Sequence, residues 1–144
     1  MIFERILILG CGLIGSSLAA SARECGLAKE IVGVDKKYEL MRERNPFFDK
    51  ISGSLKSFEE ADLCVIAIPI EGVPAVVREL ADNQGKSNYD LITDVASNKR
   101  PLIEVLDELN LDSKGAFLSK FISSHPLAGS EQGGWESAST NLFD

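Results

Sequence analysis

The sequence predicts an α/β fold in which a doubly wound, mainly parallel sheet carries helices on both faces. Three observations predict it. Short, continuously apolar runs recur along the chain, as in RILIL (5–9) and DLCVIAI (62–68). Such runs suit strands that are buried on both faces. Between them lie segments whose apolar residues recur at helical spacing, the pattern of helices with one face on a core. The two kinds alternate along the chain, which is the order that builds a covered parallel sheet.

Each element has its own signal. RILIL ends in glycine and reads as the first strand. Residues 13–25 place Ile14, Leu18, Ala22 and Cys25 on one helical face, and Gly26 is a C-terminal stop. IVGVD (31–35) is the second strand. A helix over 36–44 ends at Asn45-Pro46, and 51–55 forms a short third strand. DLCVIAI is the strongest strand and is stopped by Pro69. Val73, Val76, Val77 and Leu80 stripe the next helix, with Pro74 tolerated in its first turn. DLITDV (90–95) is a strand, and Leu102, Val105, Leu106 and Leu109 stripe another helix. AFLSKFISS (116–124) contains the last strand. No repeat or linker interrupts the 144 residues, so a single domain over 1–144 is expected.

The loop G-C-G-L-I-G (10–15) gives the fold a chemistry. It lies between the first strand and the first helix, and Asp35 ends the next strand 20 positions beyond Gly15. That context is the fingerprint of a Rossmann-type dinucleotide site. Gly10 permits the tight turn, Gly12 lets backbone approach a pyrophosphate, and Gly15 lets helix and strand pack closely. Leu13 and Ile14 complete the loop as cofactor-binding residues, and Pro69 joins them from the end of its strand. Phosphates would meet the amides and positive dipole end of the helix. Asp35 can accept hydrogen bonds from both hydroxyls of an adenosine ribose and would repel a 2′-phosphate. NAD is therefore expected over NADP, although Lys36 and Lys37 follow.

Composition narrows the partners. The formal net charge is −7 and the isoelectric point is about 4.8, which argues against nucleic acid or an anionic membrane as partner. The run ILILGCGLIGSSLAASA (6–22) is uncharged, but it lacks a basic flank and holds three glycines, so it does not read as a signal peptide. Cys11, Cys25 and Cys64 form no C-x-x-C pair, and one histidine cannot complete a common zinc set with them. No metal site and a cytoplasmic location with reduced cysteines are the expectations.

Two segments fall at later strand ends, where a doubly wound sheet holds its ligands. These are T-D-V-A-S-N-K (93–99) and S-H-P-L-A-G-S-E (124–131). Ser97 or Asn98 reads as the N-cap of the following helix. His125, the sole histidine, reads as a turn residue or as a titratable group of an active site. Ser97 and His125 beside a nicotinamide suit alcohol oxidation, which needs an acceptor for the hydroxyl proton as hydride leaves carbon.

Taken in order, L-G-C-G-L-I-G-S-S-L-A, D-V-A-S-N-K and H-P-L-A-G-S-E resemble the cofactor domain of the prephenate and arogenate dehydrogenases. H-P-L-A-G-S-E is the most specific of the three. The resemblance implies NAD-dependent oxidative decarboxylation of prephenate to 4-hydroxyphenylpyruvate in tyrosine biosynthesis, with arogenate as the other substrate. It implies that His125 takes the substrate hydroxyl proton, that Ser97 orients hydroxyl and nicotinamide, and that Glu131 tunes the substrate mouth. Pro126 would stiffen the exit, while Ala128 and Gly129 leave room. Ser16 stands where the family often has a further glycine, Leu127 where it has methionine, and Asn98 where it has valine or threonine. The resemblance also implies a largely helical second domain, absent here, that supplies a substrate-binding arginine and much of a dimer interface. The expectation is a cofactor-binding half, truncated at its C-terminal end, little active alone and prone to self-association or homodimerisation. Two other readings stay open: a different NAD-dependent dehydrogenase or reductase, and a non-catalytic dinucleotide-binding module.

Overall fold

Ile6, Leu7, Ile8 and Leu9 are each at most 4% exposed, because β1 (Phe3–Leu9) runs through the middle of a sheet that is covered on both faces. The computed structural model describes residues 1–83, 88–112, 114–128 and 131–143. After β1 come α1 (Leu13–Glu24), β2 (Ala28–Val34), the short α2 (Tyr38–Met41) and β3 (Lys50–Ser52). The second half runs β4 (Glu60–Ile66), α3 (Val73–Asp82), β5 (Asn88–Asp94), α4 (Arg100–Leu111), α5 (Gly115–Leu118) and β6 (Phe121–Ser123). The strands lie in the order β3-β2-β1-β4-β5-β6, and every neighbouring pair is parallel. Strand order reverses beside β1, so the crevice of a doubly wound sheet opens between β1 and β4.

Alternation along each strand divides the core. Leu7, Leu9, Val32, Cys64 and Ile66 face one cluster, which α3 and α4 cover with Val73, Val77, Leu80, Leu102, Val105 and Leu109. Ile6, Ile8, Ile31 and Val65 face the other, covered by Ala19 and Ala22 of α1 with Met41 and Phe48. Fully burying one such aliphatic side chain contributes about 1.5–3 kcal/mol, so neither face can be left bare. This is why the strands read as unbroken apolar runs.

Element boundaries depart from the sequence expectation where side chains bind backbone. The third strand ends at Ser52, because Ser54 leaves the ladder to cap the single turn Leu55–Ser57, accepting from the Lys56 amide. The helix expected over 36–44 shrinks to α2, because Asp35 holds the Lys37 amide and delays its start. β4 runs from Glu60 to Ile66 rather than over 62–68, although the Ala67 amide still reaches Leu9 O. Part of AFLSKFISS is helical: Phe117 is 2% exposed in α5, and only Phe121–Ser123 joins the sheet. After β6 the chain crosses back to α1. The turns Trp135–Ser137 and Thr140–Phe143 lie there, held by Ser139 N to Ser17 Oγ at 3.1 Å and Ser21 Oγ to Thr140 O at 3.2 Å. No helix among the described residues is long and apolar enough to cross a membrane.

Candidate active site

The three loop glycines answer to different constraints. Gly10 has φ of 96°, a region L side chains rarely adopt, and an added Cβ would lie 2.4 Å from Ala67 O. The loop therefore presses on the exit of β4. At Gly15 an added Cβ would stand 1.9 Å from Gly10 O, so helix and turn touch backbone to backbone. At Gly12 nothing lies within 4 Å. Gly12 is also the N-cap of α1, with no side chain capping the helix and no acid in its first turn. First-turn amides have no acceptor inside a helix, and here they belong to Leu13, Ile14 and Gly15. An open space at an uncapped helix start is a cradle for phosphate oxygens.

Asp35 follows β2 and reaches back to this loop. Its Oδ2 accepts from the Cys11 amide at 2.9 Å and its Oδ1 from the Lys37 amide at 2.8 Å. The carboxylate is thus fixed beside the glycine turn, and each oxygen keeps acceptor capacity for a ribose hydroxyl. Ser16 braces the loop from within. It is fully buried, donates to Cys11 O at 2.9 Å and accepts from Asn45 Nδ2 at 2.9 Å. The serine that replaces a further glycine is therefore a satisfied polar residue. Burial, with a smaller contribution from the Asp35 charge, pushes the Cys11 thiol up, so Cys11 is a neutral packing residue.

The other strand ends carry the second group of side chains. β5 and β6 are paired with Asp94 opposite Ser123. Three residues beyond Asp94 stands Ser97, and two beyond Ser123 stands His125; both are exposed. The topology thus brings the two residues to adjacent strand ends, on the same edge of the sheet as Gly12 and Asp35. Pro69 lies on that edge too, exposed after β4 and before the single turn Ile70–Gly72. Glu131 is exposed on the segment that leads back to α1, while Gly129 lies outside the described residues. Ser97 and Asn98 are not the N-cap of α4. Lys99 occupies that position without a capping side-chain bond, and Asn98 Oδ1 instead accepts from the Arg100 amide at 3.2 Å. Ser97 is left out of the helix cap.

Two residues that the sequence reading did not single out hold this region together. Asp94 is fully buried and pairs with Lys99 Nζ at 2.5 Å. Its Oδ1 also accepts from Ser123 Oγ at 2.9 Å, and its Oδ2 from the Ala96 amide at 3.0 Å. Lys99 Nζ donates further to Ser124 O. The signal is an acid closing an apolar, buried strand, since a fully buried acid is rarely left unpaired. Ser17 and Ser21, one helical turn apart on α1, bind the segment that docks there, at Ser139 and Thr140.

Strand order, glycine loop and Asp35 define a nucleotide-binding domain of the doubly wound class, with polar side chains at the later strand ends as in oxidoreductases. The family model for the nucleotide-binding domain of prephenate dehydrogenase matches residues 18–144, and the chain belongs to that family. It is 34% identical over 142 residues to a prephenate dehydrogenase of Lactococcus lactis, covering 98% of this chain and 39% of the relative. It is 31% identical over 144 residues to a prephenate dehydrogenase of Bacillus subtilis, covering 98% and 37%. The chain therefore spans about two-fifths of the length of these relatives. Among solved structures, the prephenate dehydrogenase from A. aeolicus in complex with hydroxyphenyl propionate and NAD+ superposes with a TM-score of 0.79 at 24% identity. That match covers 100% of this chain and 49% of the other. A Synechocystis arogenate dehydrogenase superposes at 0.74 with 28% identity, covering 96% and 46%.

Proposed function

We propose that this chain is the cofactor-binding half of an NAD-dependent enzyme that oxidatively decarboxylates prephenate to 4-hydroxyphenylpyruvate in tyrosine biosynthesis. The observation that carries the reading is the convergence of an open glycine cradle, a fixed Asp35 and the pair Ser97 and His125 on one edge of one sheet, in a domain of this family. The amides of Gly12, Leu13, Ile14 and Gly15 bind the pyrophosphate, Asp35 holds the adenosine ribose, and Pro69 borders the path between the halves of the cofactor. NAD+ supplies the hydride acceptor. His125 accepts the proton of the substrate hydroxyl as hydride leaves the carbon that bears it, and Ser97 orients that hydroxyl. Loss of CO2 from the same ring then leaves an aromatic product. Glu131 borders the substrate mouth. Arogenate, which presents the same ring and hydroxyl, is the second substrate to test.

Prephenate is a dianion and needs fixed cations. No Arg or Lys lies between His125 and Asp144, and Lys99 is engaged with Asp94 and Ser124. The 144-residue chain therefore binds NAD+ yet turns over prephenate slowly or not at all, because the positioning contribution, up to about 7–11 kcal/mol, is largely lacking. Ile122 (59% exposed) and Leu127 (94%) stand apolar at this end of the sheet and favour self-association. A cytoplasmic location fits the biosynthetic role. The test is calorimetric titration with NAD+ and NADP+, followed by a steady-state assay with prephenate and with arogenate. NAD+ binding with weak or no turnover supports the reading. Turnover at about 10 s⁻¹ by this chain would show a complete substrate site and refute the division of labour; absence of NAD+ binding would refute the reading itself.

A further inference from the structure

We infer that Asp94 is a positioning residue that holds the Ser97 and His125 segments in one register. The inference rests on the proposed roles of those two residues. Its ground is the placement of the carboxylate's partners. Ala96, whose amide binds Asp94 Oδ2 at 3.0 Å, immediately precedes Ser97. Ser124, whose amide lies 3.4 Å from Oδ1, immediately precedes His125. Ser124 also donates through Oγ to the Asp94 carbonyl at 2.5 Å, and Ser123 Oγ donates to Oδ1 at 2.9 Å. Lys99 closes the ring, bridging the carboxylate to Ser124 O. One buried group thus fixes the backbone one residue ahead of each exposed side chain, adding to the bonds that Thr93 Oγ1 and Ser124 Oγ make across the two strand ends. The ladder itself cannot do this, because the β5–β6 pairing ends at Asp94 and Ser123. Charge-assisted hydrogen bonds hold geometry better than neutral ones, and a carboxylate has the four acceptor sites that an amide or hydroxyl lacks. Neither Gly12 nor Asp35 touches this network, so its loss should leave cofactor affinity intact.

The test is Asp94→Asn, which keeps size but loses charge and one acceptor oxygen. The Lys99 side chain is 26% exposed and can turn to water, so no trapped charge opposes folding. Ser123→Ala removes one bond to Oδ1 from an exposed residue, leaves the ion pair in place, and serves if the first variant fails to fold. His125 is the sole histidine, so its ring gives one set of NMR signals in the 144-residue chain. We expect those signals and the Ser97 amide to move toward unfolded-chain positions, while the amides of Gly12 and Leu13 and the NAD+ dissociation constant stay within about threefold of the parent. In a fusion of this chain to the remaining length of the Lactococcus lactis relative, kcat should fall about ten- to a hundredfold with the KM for NAD+ unchanged, as for a misplacement near 1 Å. Unmoved His125 and Ser97 signals would overturn the inference. Loss of NAD+ binding in step with kcat would overturn it as well, by showing a role in the fold at large. The NMR readout needs no substrate, so it fails separately from the choice of prephenate.

Discussion

Gly12 and Gly15 lie three residues apart in one loop, and replacing each with alanine should have opposite consequences. At Gly15 the new Cβ would stand 1.9 Å from Gly10 O, where ordinary contact begins at 3.4 Å. About 1.5 Å of separation must open (3.4 − 1.9), and the obstructing atom is backbone that cannot swing aside. Overpacking of this kind costs about 1–3 kcal/mol, or roughly 2–12 °C of Tm at about 2–4 °C per kcal/mol. At Gly12 no atom lies within 4 Å, and its φ of −78° and ψ of −156° are open to any residue. Alanine there gains about 0.4–1 kcal/mol from a stiffer unfolded chain and loses a similar amount as a poorer N-cap. Tm should stay within about 2 °C. The methyl group would nevertheless occupy the space through which the pyrophosphate approaches, and NAD+ affinity should fall at least about tenfold, or 1.4 kcal/mol. Thermal unfolding followed by circular dichroism, with calorimetric titration of NAD+, reads both quantities. If Gly12→Ala binds NAD+ like the parent, the open space is not the phosphate site. If Gly15→Ala keeps its Tm, the backbone contact is softer than the geometry states.

Asp35→Ala should weaken NAD+ by about ten- to a hundredfold, since a hydrogen bond to a charged group is worth roughly 1.5–3 kcal/mol and the Cys11 amide also loses its acceptor; equal or tighter NADP+ binding by the parent chain in calorimetry would contradict this. In the same fusion to the remaining length of the Lactococcus lactis relative, His125→Asn should lose about 10²–10⁴ in turnover with NAD+ affinity unchanged, and untouched turnover would make the histidine structural. Cys25 is exposed whereas Cys11 and Cys64 are buried, so a thiol reagent should titrate one fast group in the native chain and three after denaturation. Burial, joined at Cys11 by the Asp35 charge, raises both buried thiols. The stability they contribute is fully present below the unfolded thiol pKa of about 8.5 and is lost as pH rises above it, by about 1.4 kcal/mol per pH unit for each thiol. The urea midpoint should therefore fall between about pH 8 and pH 9.5, and a Cys64→Ala variant whose midpoint falls as steeply would refute the cause.

The first half of the site was legible because its chemistry is local. A glycine that must adopt positive φ, a glycine that must touch backbone and an acid at the next strand end all follow one another in the chain. Their spacing states the geometry. The second half was legible only as residue types. Ser97 and His125 stand 28 positions apart, and what joins them is a strand pairing and a buried carboxylate, neither of which leaves a periodic trace. The same limit explains the boundaries that shifted. The apolar run 62–68 does not reveal that its last two residues turn toward Pro69, and nothing in 36–44 announces that Asp35 will hold the Lys37 amide. Side chains that bind backbone decide such ends, and their choice depends on what the fold brings near.

The two halves of the candidate site are also held by different physics. The cofactor half is fixed mainly by backbone contact, Gly10 against Ala67 and Gly15 against Gly10, with hydrogen bonds of buried Ser16 to Cys11 and Asn45 and of Asp35 to the Cys11 amide. Such contacts are insensitive to salt and give a rigid cradle before any ligand arrives. The half with Ser97 and His125 is fixed by charge, through Asp94 and Lys99, and these two side chains stand exposed beyond the last ladder bonds. A rigid cradle suits a cofactor whose adenosine and pyrophosphate end stays put through the reaction. An exposed serine and histidine beyond charge-anchored strand ends suit a surface on which a substrate closes. Asp94 lies where these demands meet. A buried carboxylate with partners on both strands can hold the two exposed ends in register without covering them, where a hydrophobic contact, which needs bulk at the site, would not.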